Sequence, residues 1–127
     1  MWPIEQISGD DHLFYRIHKS YVVDGEVVPG AFQERGEGDG RGMSTDWERY
    51  STAEASWLRS KLPAENGIGE FIAAEVRAID LEVSPVPLPD NRAHSHIKGI
   101  PHDGQLKVQA RLKLKRLFKW RIEMGGA

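Results

Sequence analysis

From Leu13 to His18 the chain alternates, so that an extended segment puts Leu13, Tyr15 and Ile17 on one face and Phe14, Arg16 and His18 on the other. The pattern predicts a strand whose second face carries a guanidinium and an imidazole side by side. Tyr21-Val22-Val23 and Val27-Val28 flank Asp24-Gly25, a dipeptide that tolerates positive φ, and predict a hairpin. Pro29-Gly30 closes it, and Ala31-Phe32 reads as a short further strand. Gly36 to Gly42 holds four glycines in seven residues and reads as a flexible surface loop.

Two helix starts are predicted next. Thr45 to Glu48 and Ser51 to Glu54 each place a hydroxyl three residues before a glutamate, a spacing that lets the two side chains satisfy opposite unpaired backbone donors. The second leads into Glu54 to Leu62, where Trp57, Leu58 and Leu62 share a helical face, and Pro63 with Asn66-Gly67 ends it. Gly69 to Ile79 fits either a helical stripe of Phe71, Ile72, Val76 and Ile79, or a buried strand over Glu70 to Ala73 feeding a helical turn. Leu81 to Val86 alternates and meets prolines soon after, as an edge strand does, and Ala93 to Ile100 predicts one more strand. Near the end, Leu106, Val108, Ala110, Leu112 and Leu114 alternate as in a strand. Yet Leu106, Ala110, Leu114, Leu117, Trp120 and Met124 share one arc of a helix, so the segment reads as a strand giving way to a helical turn or as one helix throughout. Together these elements predict an α+β fold: a single small domain over residues 1–127, with a mixed or antiparallel sheet and one or two short helices packed on it. Within it lie the glycine-rich loop, 36–42, and a basic amphipathic C-terminal element, 105–124.

Length fits that picture, because a chain of 127 residues can bury roughly two-thirds of its unfolded surface and needs no staples. With no cysteine, disulfides, thiol nucleophiles and cysteine-ligated zinc are excluded, and a reducing cytoplasm is the expected setting. The opening MWPIEQISGDDH has neither the basic nor the apolar part of a leader. No apolar run approaches the roughly 20 residues of a spanning helix, so a soluble protein without membrane contact is expected.

Charge divides the chain sharply. Residues 1 to 106 carry ten Lys and Arg against eighteen Asp and Glu, whereas residues 107 to 127 carry seven against one, so a body at −8 meets a tail at +6. Such a split marks an acidic body that meets its own basic tail, a docking surface for an acidic partner, or a surface for phosphate. On the phosphate reading Lys107, Arg111, Lys115, Arg116 and Lys119 contact nucleic acid or a partner, with Phe118 and Trp120 as stacking platforms. On the plain reading they are the solvated face of a half-buried element.

Several polar constellations bear on chemistry. His94-Ser95-His96 puts two imidazoles on one strand face with His102 and Asp103 nearby, but no second ligand pair has the spacing of a recognised site, so no metal and no cofactor is assigned. Arg16, His18 and His94 can form a cationic pocket in which an imidazole moves a proton and a guanidinium grips phosphate, unless Arg16 is spent on a carboxylate such as Asp46. The glycine loop fails the dinucleotide fingerprint, since residue 43 is methionine, and has no G-K-[ST] for a nucleotide triphosphate.

His18-Lys19-Ser20 resembles one half of the phosphoesterases with two H-x-[ST] motifs, but His96 stands where the second motif needs Ser or Thr. Strand-borne Arg16 and His18 followed by Ser44-Thr45 also resemble ADP-ribosyltransferase-like folds. More broadly, Phe14 to His18, Ala31-Phe32, Met43 to Thr52 and Asn91 to His94 resemble, in order and spacing over about residues 13 to 100, a family of small bacterial proteins with no assigned function. The resemblance implies site roles for Arg16, Ser44, Trp47, Tyr50, Asn91 and His94. His96 and the basic tail fall outside it.

The leading expectation is therefore a domain that binds an anionic ligand, a nucleotide or RNA. His94 and Arg16 are its candidate catalytic residues, and Ser44, Trp47, Tyr50, Asn91 and His18 its candidate ligand contacts. The rival class is a non-enzymatic protein-interaction module or subunit that docks a protein partner through the acidic body or the basic tail.

Overall fold

A computed structural model describes residues 2–124. In chain order the elements are β1 (His12–His18), β2 (Val22–Val23), β3 (Glu26–Val27), β4 (Met43–Trp47), α1 (Ala53–Leu58), β5 (Asn66–Ile72), α2 (Ala73–Ala78), β6 (Glu82–Pro85), β7 (His94–Lys98), α3 (Gly104–Leu117) and β8 (Lys119–Ile122). Six strands form one sheet in the order β6-β7-β4-β1-β5-β8, with every neighbouring pair antiparallel. The fold is α+β, a small domain whose sheet is wholly antiparallel.

Alternation in β1 assigns the two faces as expected. Leu13, Tyr15 and Ile17 enter the main core beside Met43, Trp47, Phe71 and Ile97, capped by Phe32, Val76 of α2 and Leu114 of α3. On the opposite face Phe14 and Ile68 pack under Ala53 and Trp57 of α1. Because α1 covers only part of that face, the rest stays polar.

The hairpin forms about Asp24-Gly25, whose φ values of 52° and 81° are those of a two-residue turn that matches strand twist. Gly69→Ala is expected to be costly for a different reason. A Cβ at Gly69 of β5 would lie 1.8 Å from the Phe118 ring, and one at Gly67 would lie 2.8 Å from Trp120. Glycine at these two positions leaves room on β5 for the aromatic rings that follow α3. Overpacking Gly69 should cost at least about 1–3 kcal/mol, read as a lower urea midpoint. Phe118→Leu in the same chain should recover part of it, and an unchanged midpoint for the single variant would contradict this packing.

Four sequence expectations are corrected. Thr45 to Glu48 begins no helix, because β4 is paired on both sides, and Thr45 Oγ1 bonds Ser95 Oγ at 2.7 Å instead of capping. Long-range pairing outweighs a local capping signal there. Helix α1 is capped by Thr52, whose Oγ1 accepts from the Ala55 N–H at 3.1 Å, and it ends at Leu58, leaving Leu58 and Leu62 exposed. Ala31 lies in a 3-10 turn, not a strand. The basic C-terminal element is helical over most of its length, nearer to one helix throughout than to a strand giving way to a helical turn, but it ends in the strand β8. Asp103 starts that helix by accepting from the N–H groups of Gln105 and Leu106 at 3.1 Å each. For Gly69 to Ile79 the second geometry holds: a strand runs to Ile72 and passes directly into α2. With no side-chain cap there, the first donors of α2 go to the carbonyls of Asp11 and Gly9.

Candidate anion-binding cleft

β1 is paired with β5 from His12 to His18, yet with β4 it pairs only at Leu13↔Trp47 and Phe14↔Asp46. Beyond Phe14 the two central strands part, and a cleft of about 600 Å³ opens along the seam. Alternation places Arg16 and His18 on one wall and Ser44 and Asp46 on the other. His94 and Asn91 reach in from β7 and the turn before it, Arg35 from the segment after the hairpin, and Arg59 from the end of α1.

The electrostatics of this cleft are unlike those of the rest of the chain. Among the described residues Arg16, Arg35, Arg59 and Arg116 are the arginines whose side chains make no ion pair, hydrogen bond or stacking contact within the protein. The other six are held by Glu5, Glu34, Glu70 or backbone carbonyls. Three of those four free guanidiniums line the cleft, where the one carboxylate is Asp46. Asp46 does not pair with Arg16. Its Oδ2 accepts from Ser56 Oγ at 2.7 Å and its Oδ1 from Asn91 Nδ2 at 2.9 Å, so the carboxylate is spent on joining α1 and the β6–β7 turn to β4. A positive hollow in a chain of net charge −2 is left with its cations unengaged.

Both cleft histidines have fixed tautomers. His94 Nδ1 lies 2.8 Å from the Val86 carbonyl oxygen, which only accepts, so Nδ1 carries the proton and Nε2 presents its lone pair. Ser44 Oγ donates toward that lone pair across 3.4 Å. His18 is the reverse: its Nδ1 accepts from the Ser20 N–H at 3.1 Å, with Ser20 Oγ at 2.8 Å, so the neutral ring keeps its proton on Nε2. One imidazole is arranged to take a proton, the other to donate a hydrogen bond.

Of the sequence candidates, Arg16, His18, Ser44, Asn91 and His94 meet here. Trp47 and Tyr50 do not. Trp47 shares the inward face of β4 with Met43 and is buried in the main core, its indole donating to Asp11 Oδ2 at 2.9 Å. Tyr50 packs edge-on against it, donates to Glu5 and lies under the Arg92 guanidinium at 4.1 Å. Both aromatics tie the N-terminal segment to the body. Arg35 and Arg59 were not anticipated, and no local pattern around either would have found them, since they meet Arg16 only through long-range pairing.

The basic tail contributes nothing to the cleft lining. Arg111 Nε donates to the Phe32 carbonyl at 3.0 Å, Lys115 lies 3.8 Å from Glu26, and Lys115 and Arg116 occupy the last turn of α3, where cations favour the helix dipole. Lys107, Arg116 and Lys119 have no acidic partner among the described residues. Phe118 is no stacking platform, because it sits 5.8 Å from Phe32 and 5.9 Å from Phe71 in the aromatic core, with Trp120 against it.

His96 stands beside the cleft with its ring edge-on to His94 at 4.9 Å, and a Cβ on Gly42 would meet it at 2.7 Å. Burial, then the neighbouring His94 and Lys98 charges, push its pKa below the usual histidine value, and its Nδ1 has no hydrogen-bond partner among the described residues. A lowered pKa means that the fold holds His96 neutral. Its contribution to stability is complete above about pH 6.5, the unfolded value, and is lost as pH falls through the lowered folded value. Urea midpoints between pH 8 and pH 5 should therefore decline toward acid, and His96→Gln should flatten that decline. Equal slopes for the two chains would contradict it. No three His, Asp or Glu groups among the described residues are arranged as metal ligands.

Among the described residues no helix is long and apolar enough to cross a membrane. Compared with family models, curated proteins and solved structures, the chain finds no match.

Proposed function

We propose that the cleft between β1 and β4 binds an anionic ligand of the nucleotide or RNA class, gripped by Arg16, Arg35 and Arg59 and oriented by Ser44, Asn91 and His18. One observation carries the reading. In a chain whose arginines are otherwise engaged by acids or carbonyls, three of the four unengaged ones face the same concave seam. Ion pairs that the fold could have used for neutralisation are withheld there, and a planar guanidinium fork gains most from a group with several acceptor oxygens, such as phosphate, that it can grip in bidentate fashion. The volume, about 600 Å³, suits a mononucleotide or one to two nucleotides of a single strand.

Calorimetric titration with nucleoside monophosphates, nucleoside diphosphates and short single-stranded RNA tests the proposal. Saturable binding that weakens as salt rises is the expected outcome. The reading fails if none of these ligands binds at low salt.

The interaction-module reading keeps one supporting observation: Leu106, Val108 and Leu112 of α3 are exposed between lysines and arginines. It calls for a partner at α3 and leaves the cleft without a role.

A further inference from the structure

We infer that Ser44 is the nucleophile of a phosphoryl-transfer step in this cleft, with His94 as its general base. The inference takes anion binding at the cleft as its premise and adds a covalent step. Three features set Ser44 apart from the other hydroxyls of the cleft. Its Oγ is exposed to the opening, whereas Ser56 is buried and bonded to Asp46. Its hydroxyl points at an imidazole lone pair whose tautomer is fixed from behind by the Val86 carbonyl, the arrangement of nucleophile, base and orienting group that activated serines need. Its place in the sheet supplies the electrophile's counter-charge. Continuing the β1–β4 register past Phe14↔Asp46 sets Arg16 opposite Ser44 across the opened seam, beside the charge that builds on a phosphoryl group under attack.

In the forward step Ser44 Oγ attacks phosphorus while its proton passes to His94 Nε2. The Oγ–P bond forms, the P–O bond to the leaving group breaks, and the leaving oxygen takes the proton from Nε2. A water molecule deprotonated by the same Nε2 then attacks phosphorus, the Oγ–P bond breaks, and Oγ recovers its proton. The substrate class is a phosphodiester or phosphoanhydride. His18 lies further along β1 and offers its Nε2–H to a second phosphate or ribose oxygen.

An alkyl fluorophosphonate tests the step, since attack forms the Oγ–P bond and expels fluoride. Intact mass and peptide mapping should find a single adduct, on Ser44, whose formation is slowed by a nucleotide that occupies the cleft. Ser44→Ala should give none. His94→Gln should slow labelling by about a hundredfold or more while the chain still melts cooperatively and still binds a nucleotide. No adduct, an adduct at Ser20, or labelling indifferent to His94→Gln would overturn the assignment. If calorimetry on the same preparation still records nucleotide binding, the cleft reading survives that failure. If it records none, the premise fails with it.

Discussion

Deleting the chain after Gly104 is expected to leave no cooperatively folded domain. The cut removes α3 and β8, and with them Leu114, which is fully buried in the main core, and Phe118, which stacks edge-on against both Phe32 and Phe71. Burying one such side chain contributes about 1.5–3 kcal/mol, so losing Leu114, Leu117, Phe118 and Trp120 together removes about as much as the 5–15 kcal/mol that holds an ordinary domain folded. The cut also uncovers β5 as a raw edge along which Gly67 and Gly69 have lost the rings that lie on them. Circular dichroism melts and amide dispersion in a two-dimensional spectrum decide it. Broad, non-cooperative melting with collapsed dispersion is predicted, and a sharp melt near the parent midpoint would make the basic tail an appendage.

The second large effect concerns ligand and not fold. Replacing Arg16, Arg35 and Arg59 by Gln together should abolish nucleotide or RNA binding while leaving the thermal midpoint unchanged or slightly raised. Charge-assisted hydrogen bonds contribute about 1.5–3 kcal/mol each, so loss of the three corresponds to about a thousandfold or more in affinity. Stability should not suffer, because none of the three side chains makes an ion pair, hydrogen bond or stacking contact within the described residues and their removal relieves like-charge crowding. Arg111→Gln, Arg116→Gln and Arg121→Gln in one chain, matched in composition but outside the cleft, should leave affinity within about threefold. Their cost should appear in stability instead, since Arg111 holds the Phe32 carbonyl and Arg121 holds Glu70. Equal loss of affinity in both variants would mean that binding follows net charge and not this cleft.

What the sequence disclosed follows from where the physics is local. A strand buried on one face writes its geometry into alternation, so β1 and the same-side placement of Arg16 and His18 were legible, as were the Asp24-Gly25 turn and the edge strand before the prolines. Helix limits were not. A six-residue helix such as α1 is held by packing and a cap, and the capping pattern at Thr45 was overruled by two sheet partners. At the C-terminus both periodicities fit the same leucines, and only Gly67 and Gly69, far away in sequence, leave the room that Phe118 and Trp120 take up against the sheet. For the cleft, the outward polar residues of β1, β4 and β7 could be named singly. Trp47 was misread as a ligand contact because its burial comes from sharing the inward face of β4 with Met43. The opening of the β1–β4 seam, which gathers Arg35 and Arg59 with Arg16, has no signature in any one segment.

The most direct measurement follows the arginine Nε–Hε resonances in a two-dimensional nitrogen–proton spectrum as a nucleoside diphosphate is added. Saturable shifts are predicted for Arg16, Arg35 and Arg59, with Arg92 and Arg121 unmoved. Shifts confined to Arg111 and Arg116 on α3, or no shift at any arginine, would contradict it.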